Sequence, residues 1–333
     1  MEDMTDAVRE RFDRFAREEA PGRSDVYAEW AGGVAEDTEV QAVLARITAQ
    51  HRQPPLVFAI TRMLGCGDGD YAGWRSFVLS HADEIVAECE RRMVQTNDPL
   101  RLAALLPALS LIEGPIALLE LGASAGLCLY PDRYSYRFMA PDGTQRLRVD
   151  PPDGPSRVLL TSIVRGVLPD IRMPEVVWRA GVDLAPVDVR DAEHRAWMRA
   201  LIWPGETQRA ERISAALAIA QADPPLMLAG DAESRLDDLL ASVPEGATPV
   251  VMTPGMLVYL PRAARTSLIE RIRASGSHWV TIDAPGLHDG WRPPVDPASF
   301  DGFAVALDGK VLSDADPLGR WWEWRAGDAT ADA

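Results

Sequence analysis

The segment that most restricts the fold is an apolar run that leads into a glycine-containing turn, residues 116–126 with the sequence IALLELGASAG. The apolar residues follow a glycine–proline pair, as expected of a central strand in a parallel sheet. Gly122 and Gly126 allow a tight turn and a close approach of the backbone to a ligand. The segment therefore predicts the first strand and turn of an α/β nucleotide site. Packing alone is the alternative, because Ser124 occupies the position of the middle glycine in G-x-G-x-G.

Two later segments also end in a carboxylate. The run from Val176 to Leu184 predicts a second strand with Asp183 at its tip, where such folds bind the two ribose hydroxyls of an adenosine group. The run from Leu226 to Gly230 predicts a third strand, and Asp231 after it is placed to accept a hydrogen bond from the adenine amino group. Each carboxylate also has a structural interpretation, because Asp183 can cap a turn and Asp231 can cap the following helix. Taken in strand order, the three segments predict a nucleotide site.

With these segments the chain resembles the class I methyltransferases that use S-adenosylmethionine, whose first three motifs match residues 120–126, Asp183 and Asp231. The resemblance implies S-adenosylmethionine as the cofactor. It also implies a set of cofactor-binding residues: Glu120, Gly122, Ala123, Ser124, Gly126, Asp183 and Asp231. Asp183 lies 57 residues after Gly126, whereas the acidic residue usually follows the glycine loop by about 20 residues. The spacing indicates an insertion between the first two strands.

Five segments are similar to the signature segments of one bacterial family, catalogued as a domain of unknown function with a methyltransferase-like fold. They are Gln95–Asp98, Gly122–Leu127, Asp132–Tyr134, Arg179–Asp188 and Ile202–Pro204. The resemblance extends from about residue 24 to residue 324, and the family pattern shares both the serine in the loop and the long insertion. The resemblance implies the fold and names no substrate.

The order of predicted elements divides the chain into two domains. Residues 1–113 show helical periodicity and form an N-terminal helical lobe, whereas strands and helices alternate over residues 114–326. The predicted fold is a doubly wound, Rossmann-like methyltransferase sheet, parallel with an antiparallel last part. An inserted β-hairpin segment occupies about residues 127–175, and residues 327–333 are predicted to be a disordered tail.

The C-terminal strands are predicted to be antiparallel, at residues 300–307, 310–312 and 320–325. Such an end distinguishes class I methyltransferases from plain dinucleotide-binding folds. A nicotinamide-dependent oxidoreductase is a third functional class, but a fold of that class does not account for the antiparallel end. Within the insertion, residues 134–139 and 145–149 flank the turn sequence Pro-Asp-Gly and are predicted to form the hairpin.

The candidate pocket lies beyond the carboxyl ends of the predicted strands, where open α/β sheets bind ligands. Methyl transfer from a sulfonium needs mainly alignment and sometimes one base. The base candidates are Asp283 and His288 after the fifth predicted strand and Tyr259 after the fourth, and each is also compatible with a satisfied polar group in a loop. The candidate substrate or lid residues are Gln95, Thr96, Asn97 and Thr253. A polar connection between helices is the alternative for residues 95–97.

Charge and composition exclude several classes of function. The formal net charge of −16 and the pI near 4.8 disfavour non-specific binding to nucleic acid or to anionic membranes. Three widely spaced cysteines, Cys66, Cys89 and Cys128, predict neither a disulfide framework nor a metal site and suit a reducing cytoplasm. No apolar run reaches 18 residues, and the N-terminus is too charged for a signal peptide. We therefore expect a cytoplasmic protein.

The function expected from the sequence is methyl transfer from S-adenosylmethionine to a small-molecule acceptor. The alternative is a catalytically silent protein that keeps the cofactor pocket for sensing or scaffolding. Ser124 and the lack of a distinct base motif favour that alternative. The sequence leaves the acceptor atom and the oligomeric state open.

Overall fold

The computed structural model describes residues 2–95 and 97–325, and the chain divides into two compact units. The first unit is Met1–Thr96 with Arg190–Ser214, and the second is Asn97–Val189 with Ala215–Ala333. The lobe predicted from the sequence ends at residue 113, whereas the first unit ends at residue 96 and takes up a later segment. The tail predicted for residues 327–333 lies outside the described residues.

Eleven α-helices are found among the described residues. In chain order they are α1 (Glu2–Arg14), α2 (Asp25–Glu36), α3 (Thr38–Leu44), α4 (Pro54–Met63), α5 (Tyr71–Ser80), α6 (Ala82–Arg91), α7 (Leu102–Leu109), α8 (Ala192–Ala200), α9 (Thr207–Ala222), α10 (Ala232–Ala241) and α11 (Arg262–Ala274). Helices α1–α6 and α8 belong to the first unit, and the division between the units falls within α9. Side-chain caps begin several of these helices, because the first amides of a helix have no partner within it. Ser24, for example, accepts a hydrogen bond from the Tyr27 amide at 3.3 Å.

The core of the first unit is aromatic. Phe58 on α4 lies at its centre, with its ring centroid 4.8 Å from that of Tyr27 and 5.5 Å from that of Trp30 on α2. Trp74 on α5 stacks on Trp30 at 5.5 Å and donates its indole N–H to the Thr61 hydroxyl at 2.9 Å. Apolar positions spaced at helical intervals thus meet in one buried cluster, which stabilises helices that are individually too short to persist in water.

The second unit contains an eleven-stranded mixed sheet. In chain order the strands are β1 (Pro115–Leu121), β2 (Ser135–Met139), β3 (Gln145–Val149), β4 (Leu159–Arg165), β5 (Glu175–Asp183), β6 (Leu226–Ala229), β7 (Thr248–Pro254), β8 (His278–Asp283), β9 (Phe303–Leu307), β10 (Lys310–Ala315) and β11 (Trp321–Trp324). Across the sheet their order is β3-β2-β4-β11-β10-β9-β8-β7-β1-β5-β6. The protein is therefore a mixed α/β protein with a large, mostly parallel sheet and helices.

The sheet has a parallel part and an antiparallel part. Strands β6, β5, β1, β7 and β8 are parallel neighbours. Strands β9, β10 and β11 continue the sheet from β8 in antiparallel pairs, which confirms the antiparallel end expected from the sequence. Helices α10 and α11 cover the parallel part with a buried cluster that includes Leu119, Leu121, Leu236 and Leu268. Side chains alternate along a strand, so Glu120 between the two β1 leucines faces the opposite side of the sheet.

The insertion between β1 and β5 builds the far edge of the sheet. The predicted hairpin is confirmed, because β2 and β3 pair in antiparallel fashion. Strand β4 was not assigned from the sequence, although Leu160, Ser162 and Val164 are buried and alternate with less buried residues. This strand runs parallel to both β2 and β11 and joins the hairpin to the C-terminal strands.

A buried ion pair fixes the insertion to β5. Nη1 and Nη2 of Arg179 donate to the Asp132 carboxylate, at 2.8 and 3.1 Å, and Nη1 also donates to the Leu129 carbonyl at 2.8 Å. The Arg179 side chain lies 4.8 Å from the Tyr130 ring centroid and is only 10% exposed. The bidentate geometry satisfies a charge that would be costly to bury alone.

Replacing Arg179 with Ala should lower the free energy of unfolding by up to about 3–5 kcal/mol, because the largely buried Asp132 carboxylate loses its bidentate partner and keeps only the exposed Arg133 guanidinium at 3.4 Å. The matched control is Arg262→Ala, which removes an Arg–Asp pair whose side chains are 83% and 85% exposed. That change should cost less than about 1 kcal/mol. Urea denaturation measures both values. Equal losses in the two variants would show that the buried pair does not hold the insertion.

Candidate functional site

The strand order of the parallel part reverses beside β1. Strands β5 and β6 lie on one side of β1, and β7 and β8 lie on the other. In open α/β sheets, a crevice forms at this place outside the carboxyl ends of the strands, and ligands bind there. The segment 122–126, called here the glycine loop, follows β1 at this place, and Gly255 and Met256 follow β7. These segments define the candidate site.

The glycine loop has a backbone that few residue types adopt. The φ angles of Gly122, Ser124 and Gly126 are +73°, +50° and +67°. A Cβ atom on Gly122 would lie 2.7 Å from Cβ of Met256, which is closer than non-bonded carbon atoms approach. Gly122 is therefore required both by its φ angle and by the packing of Met256. Ser124 is a non-glycine residue in the left-handed region, which is a strained conformation.

The end of β5 holds the glycine loop. The amides of Gly122 and Ala123 donate to the Val182 carbonyl at 2.8 and 3.0 Å. The Ser124 amide donates to Oδ2 of Asp183 at 2.8 Å. Oδ1 of Asp183 accepts from the amide of residue 185 at 2.9 Å. An ionised carboxylate has about four acceptor positions, so the half-buried Asp183 has capacity for further donors.

Asn97 fixes the other side of the loop. Its side-chain amide donates to the Ala123 carbonyl at 3.1 Å, and its side-chain oxygen accepts from the Leu127 amide at 2.8 Å. The Asn97 side chain is buried, and both of these contacts orient the loop backbone. Of the other predicted lid residues, Gln95 belongs to the first unit, and Thr96 lies outside the described residues.

Two buried polar atoms beside the loop have no hydrogen-bond partner among the described residues, Oε2 of Glu120 and Oγ of Ser124. Glu120 is 1% exposed. Burial raises the pKa of its carboxyl well above the ordinary value, the Arg101 guanidinium opposes this shift, and the Asp183 carboxylate adds to it. Buried polar atoms in native proteins nearly always have a partner, and these two oxygens can each accept a hydrogen bond from a further group.

Arg101 is a site residue that the sequence analysis missed. Its Nε donates to the Pro317 carbonyl at 3.1 Å, and its Nη1 donates to the Pro254 carbonyl at 2.7 Å. These two bonds hold the guanidinium next to Gly255, on the side of the site that faces Glu120. The available signal was that Arg101 is the one charged residue between residues 99 and 112 of the sequence. A cation in an apolar segment indicates a specific partner.

Asp231 is placed at the start of α10. Its Oδ1 accepts hydrogen bonds from the amides of Glu233 and Ser234 at 3.0 and 3.1 Å, which is the geometry of a helix cap. The residue before it, Gly230, donates its amide to the Asp183 carbonyl at 2.9 Å. Strand β6 thus ends beside β5, and the exposed Asp231 follows that end.

Thr253 and Asp283 belong to a buried network between β7 and β8. The Trp279 indole N–H donates to the Thr253 hydroxyl at 2.9 Å, and that hydroxyl lies 2.7 Å from the Thr281 hydroxyl. The Thr281 hydroxyl in turn donates to Asp283. Thr253 is fully buried, and Asp283 is 1% exposed. Both predicted residues are therefore enclosed between the strands that carry them.

His288 is enclosed beside the same network. Its Nδ1 accepts a hydrogen bond from the Gly290 amide at 3.0 Å, so the proton of the neutral ring lies on Nε2. Nε2 is 3.6 Å from the Asp283 carboxylate, and the ring lies between Trp279 and Trp291 at centroid distances of 5.7 and 4.1 Å. No hydrogen bond from His288 or Asp283 to the glycine loop is found among the described residues.

Three exposed side chains follow the strands on either side of β1. Tyr259, the third base candidate, is 80% exposed, and the neighbouring Val258 is 57% exposed. Leu184, which follows Asp183, is 69% exposed. Large apolar side chains are usually at least partly buried. Their exposure after β5 and β7 gives this edge of the sheet apolar surface that a planar ligand group can cover.

In the part of the chain that the structure describes, no helix has both the length and the apolar character needed to cross a membrane. Within the same residues, no group of three or more histidine, cysteine, aspartate or glutamate side chains is arranged to hold a metal ion.

Residues 9–324 match a protein family described as "Uncharacterized protein conserved in bacteria" (DUF2332). No curated protein matches the chain. The family match spans almost the whole sequence, and it confirms the bacterial family expected from the five segments of the sequence. The chain therefore belongs to this bacterial family.

Proposed function

We propose that the second unit binds S-adenosylmethionine at the glycine loop and that the protein transfers its methyl group to a small-molecule acceptor. The observation that carries this proposal is the contact between the loop and Asp183, whose carboxylate accepts the Ser124 amide at the point where the strand order reverses. A loop with close backbone approach and a carboxylate on the next strand are the two elements that adenosine recognition requires.

The order of the parallel strands supports the same proposal. When the inserted strands β2, β3 and β4 are set aside, the remaining parallel strands occur across the sheet as third, second, first, fourth and fifth in the chain. This is the order of doubly wound nucleotide-binding sheets. We therefore infer the Rossmann-like arrangement of class I methyltransferases, with the insertion and the C-terminal strands added at one edge.

The residues present fit the adenosine part of the cofactor. Asp183 has acceptor positions for the two ribose hydroxyls, since each of its oxygens accepts only one amide among the described residues. Leu184 supplies an exposed apolar side chain next to it for one face of the adenine ring. Asp231 uses Oδ1 to cap α10, which leaves Oδ2 as the acceptor for the adenine amino group.

The residues present also fit the amino-acid part of the cofactor, which carries an ammonium and a carboxylate. Glu120 offers a buried oxygen without a protein partner, and Arg101 offers a guanidinium held next to the loop. A zwitterion between these two side chains pairs each charge with its opposite and satisfies Oε2 of Glu120. Ser124 Oγ, the second unpartnered atom, is one step further along the loop.

The cofactor supplies a methyl group that is already activated by its sulfonium, so the protein residues need only bind, orient and exclude water.

The base candidates divide into two kinds. Asp283 and His288 are enclosed and contact their own network, whereas Tyr259 is exposed after β7. The enclosure of Asp283 and His288 favours the second candidate function, a cofactor-binding protein without transferase activity. Formation of S-adenosylhomocysteine from S-adenosylmethionine distinguishes the two.

Replacing Asp183 with Ala should weaken binding of adenosine and S-adenosylhomocysteine by about 10- to 100-fold, because hydrogen bonds to a charged acceptor are lost. The wild-type protein should also bind adenosine more tightly than 2′-deoxyadenosine, and the variant should lose this preference. Isothermal titration calorimetry measures all of these affinities. Asp231→Ala should reduce the affinity less and keep the preference for adenosine.

The comparison of the two nucleosides separates recognition from loop support. Asp183→Ala also removes the acceptor of the Ser124 amide. The loss of this loop contact weakens the binding of both nucleosides equally. Asn97→Ala, which removes two other loop contacts, is the matched control and should keep the preference for adenosine. A variant at Asp183 that still prefers adenosine as strongly as the wild type would refute the contact with the ribose hydroxyls.

Replacing Glu120 with Gln should make the stability of the protein less dependent on pH. The pKa of Glu120 is raised in the folded state, so above pH 4.5 the unfolded chain releases a proton that the folded protein retains. The wild-type free energy of unfolding therefore falls as pH rises, by up to about 1.4 kcal/mol per pH unit, until the folded-state pKa is reached. A glutamine at position 120 cannot ionise, so this fall in the free energy of unfolding is absent from the variant.

Thermal melts between pH 5 and pH 8 test this expectation. The melting temperature of Glu120→Gln should exceed that of the wild type by a margin that grows with pH. Saturating S-adenosylhomocysteine should reduce the margin, because its ammonium stabilises the ionised carboxylate of the wild type. Parallel pH profiles for the two proteins would mean that Glu120 is not neutral in the folded state.

A further inference from the structure

The second unit also contains a cavity that involves no residue of the glycine loop. It has a volume of about 510 Å³ and lies between α11 and the segment that follows β8. Its lining includes Thr266, Ile269 and Arg273 from the helix, and His288 and Arg292 from the segment. A smaller cavity of about 290 Å³ shares Thr266 and His288 with it and extends the same groove toward the start of α11. Volumes of this size suit a small-molecule ligand.

Arg273 and Arg292 line the same cavity, and both side chains approach the backbone at Gly309. Nη2 of Arg273 and Cγ of Arg292 lie 2.7 and 3.6 Å from the point that a Cβ on Gly309 would occupy, so both side chains flank one position. Burial lowers the pKa of Arg273, and the charge of Arg292 lowers it further. Nη2 of Arg273 donates to the Gly290 carbonyl. Among the described residues, neither guanidinium forms an ion pair with a carboxylate.

The acidic residues of the cavity do not neutralise this pair. Asp289 lines the cavity, but its carboxylate pairs with Arg262 at 2.8 Å. Glu270 is exposed on α11 and, with Asp308, only partly offsets the effect of burial and of Arg292 on Arg273. The cavity wall therefore carries two cations, the half-buried Arg273 and the exposed Arg292, in a chain with a formal net charge of −16. Such a wall attracts a small anion.

We propose that this cavity binds a small phosphate monoester, with its phosphate between Arg273 and Arg292. Guanidinium groups present two parallel N–H donors that match the oxygens of a phosphate, and two of them neutralise its two charges. The organic part of the ligand then lies along Ile269 and Ala274 toward the Thr266 hydroxyl and the buried His288 ring. This site involves none of the residues proposed above to bind S-adenosylmethionine, although His288, one of the base candidates, lines it.

The test measures binding of inorganic phosphate, glucose 6-phosphate, glucose and gluconate to the whole protein by isothermal titration calorimetry. Glucose 6-phosphate should bind more tightly than inorganic phosphate, and glucose should not bind. Arg292→Gln should weaken the binding of both phosphate compounds by about 10-fold or more. This variant leaves the hydrogen bond between Arg273 and Gly290 in place, so the wall of the cavity is kept. Arg273→Gln should have at least the same effect.

Arg271→Gln is the matched control. It removes the same charge from the same helix, but Arg271 faces α10, where it contacts the Glu233 carbonyl and pairs with Asp237 at 3.0 Å. The affinity of the Arg271→Gln protein for both phosphate compounds should equal that of the wild type. Failure of both phosphate compounds to bind, or equal binding by wild type and Arg292→Gln, would overturn the proposal. Gluconate bound as tightly as glucose 6-phosphate would overturn the assignment to phosphate.

Discussion

The hydrogen bonds between the glycine loop and the end of β5 are the contacts on which the candidate site depends. Two loop amides bind the Val182 carbonyl and a third binds Asp183, so the loop backbone is fixed by the strand beside it. Fixing the loop at β5 places the carboxyl ends of β1 and β5 at one level, and Asn97 then holds the loop from the other side. A site built from backbone in this way needs few special side chains, because amides and glycines supply its shape.

Charged side chains are buried in this acidic chain in two different arrangements. Arg179 and Asp132 are buried as a bidentate pair that joins the insertion to β5, and each satisfies the other. Glu120 is buried without a hydrogen bond to Oε2, and the nearby Arg101 guanidinium donates through Nε and Nη1 to two backbone carbonyls. The first arrangement stabilises the fold. The second leaves a carboxyl whose proton is lost only at a cost, and a charged ligand can remove that cost.

The sequence predicted those parts of the fold and site that depend on local patterns. The strand and loop at 116–126, the hairpin of the insertion and the antiparallel end are all present, because apolar runs and turn residues act within a few positions. Strand β4 was missed because its buried face carries Ser162 and its exposed face carries Ile163, so apolar and polar residues do not alternate along it. Arg101 and Met256 were missed for a different reason. Their importance comes from contacts with Pro254 and Gly122 that no local pattern records.

The 57-residue spacing between the glycine loop and Asp183 does not separate them in space, because the Ser124 amide binds the Asp183 carboxylate. Chain length between the two segments does not matter to a ligand, whereas the parallel register that sets Glu120 beside Gly181 does. The insertion can be long because its first residue is fixed: the Leu127 amide donates to the Asn97 side chain, and the Leu127 carbonyl accepts a hydrogen bond from the Tyr134 hydroxyl at 2.9 Å. Loop closure costs rise only slowly with length. The insertion therefore adds an edge to the sheet and leaves the position of the site between β1 and β5 unchanged.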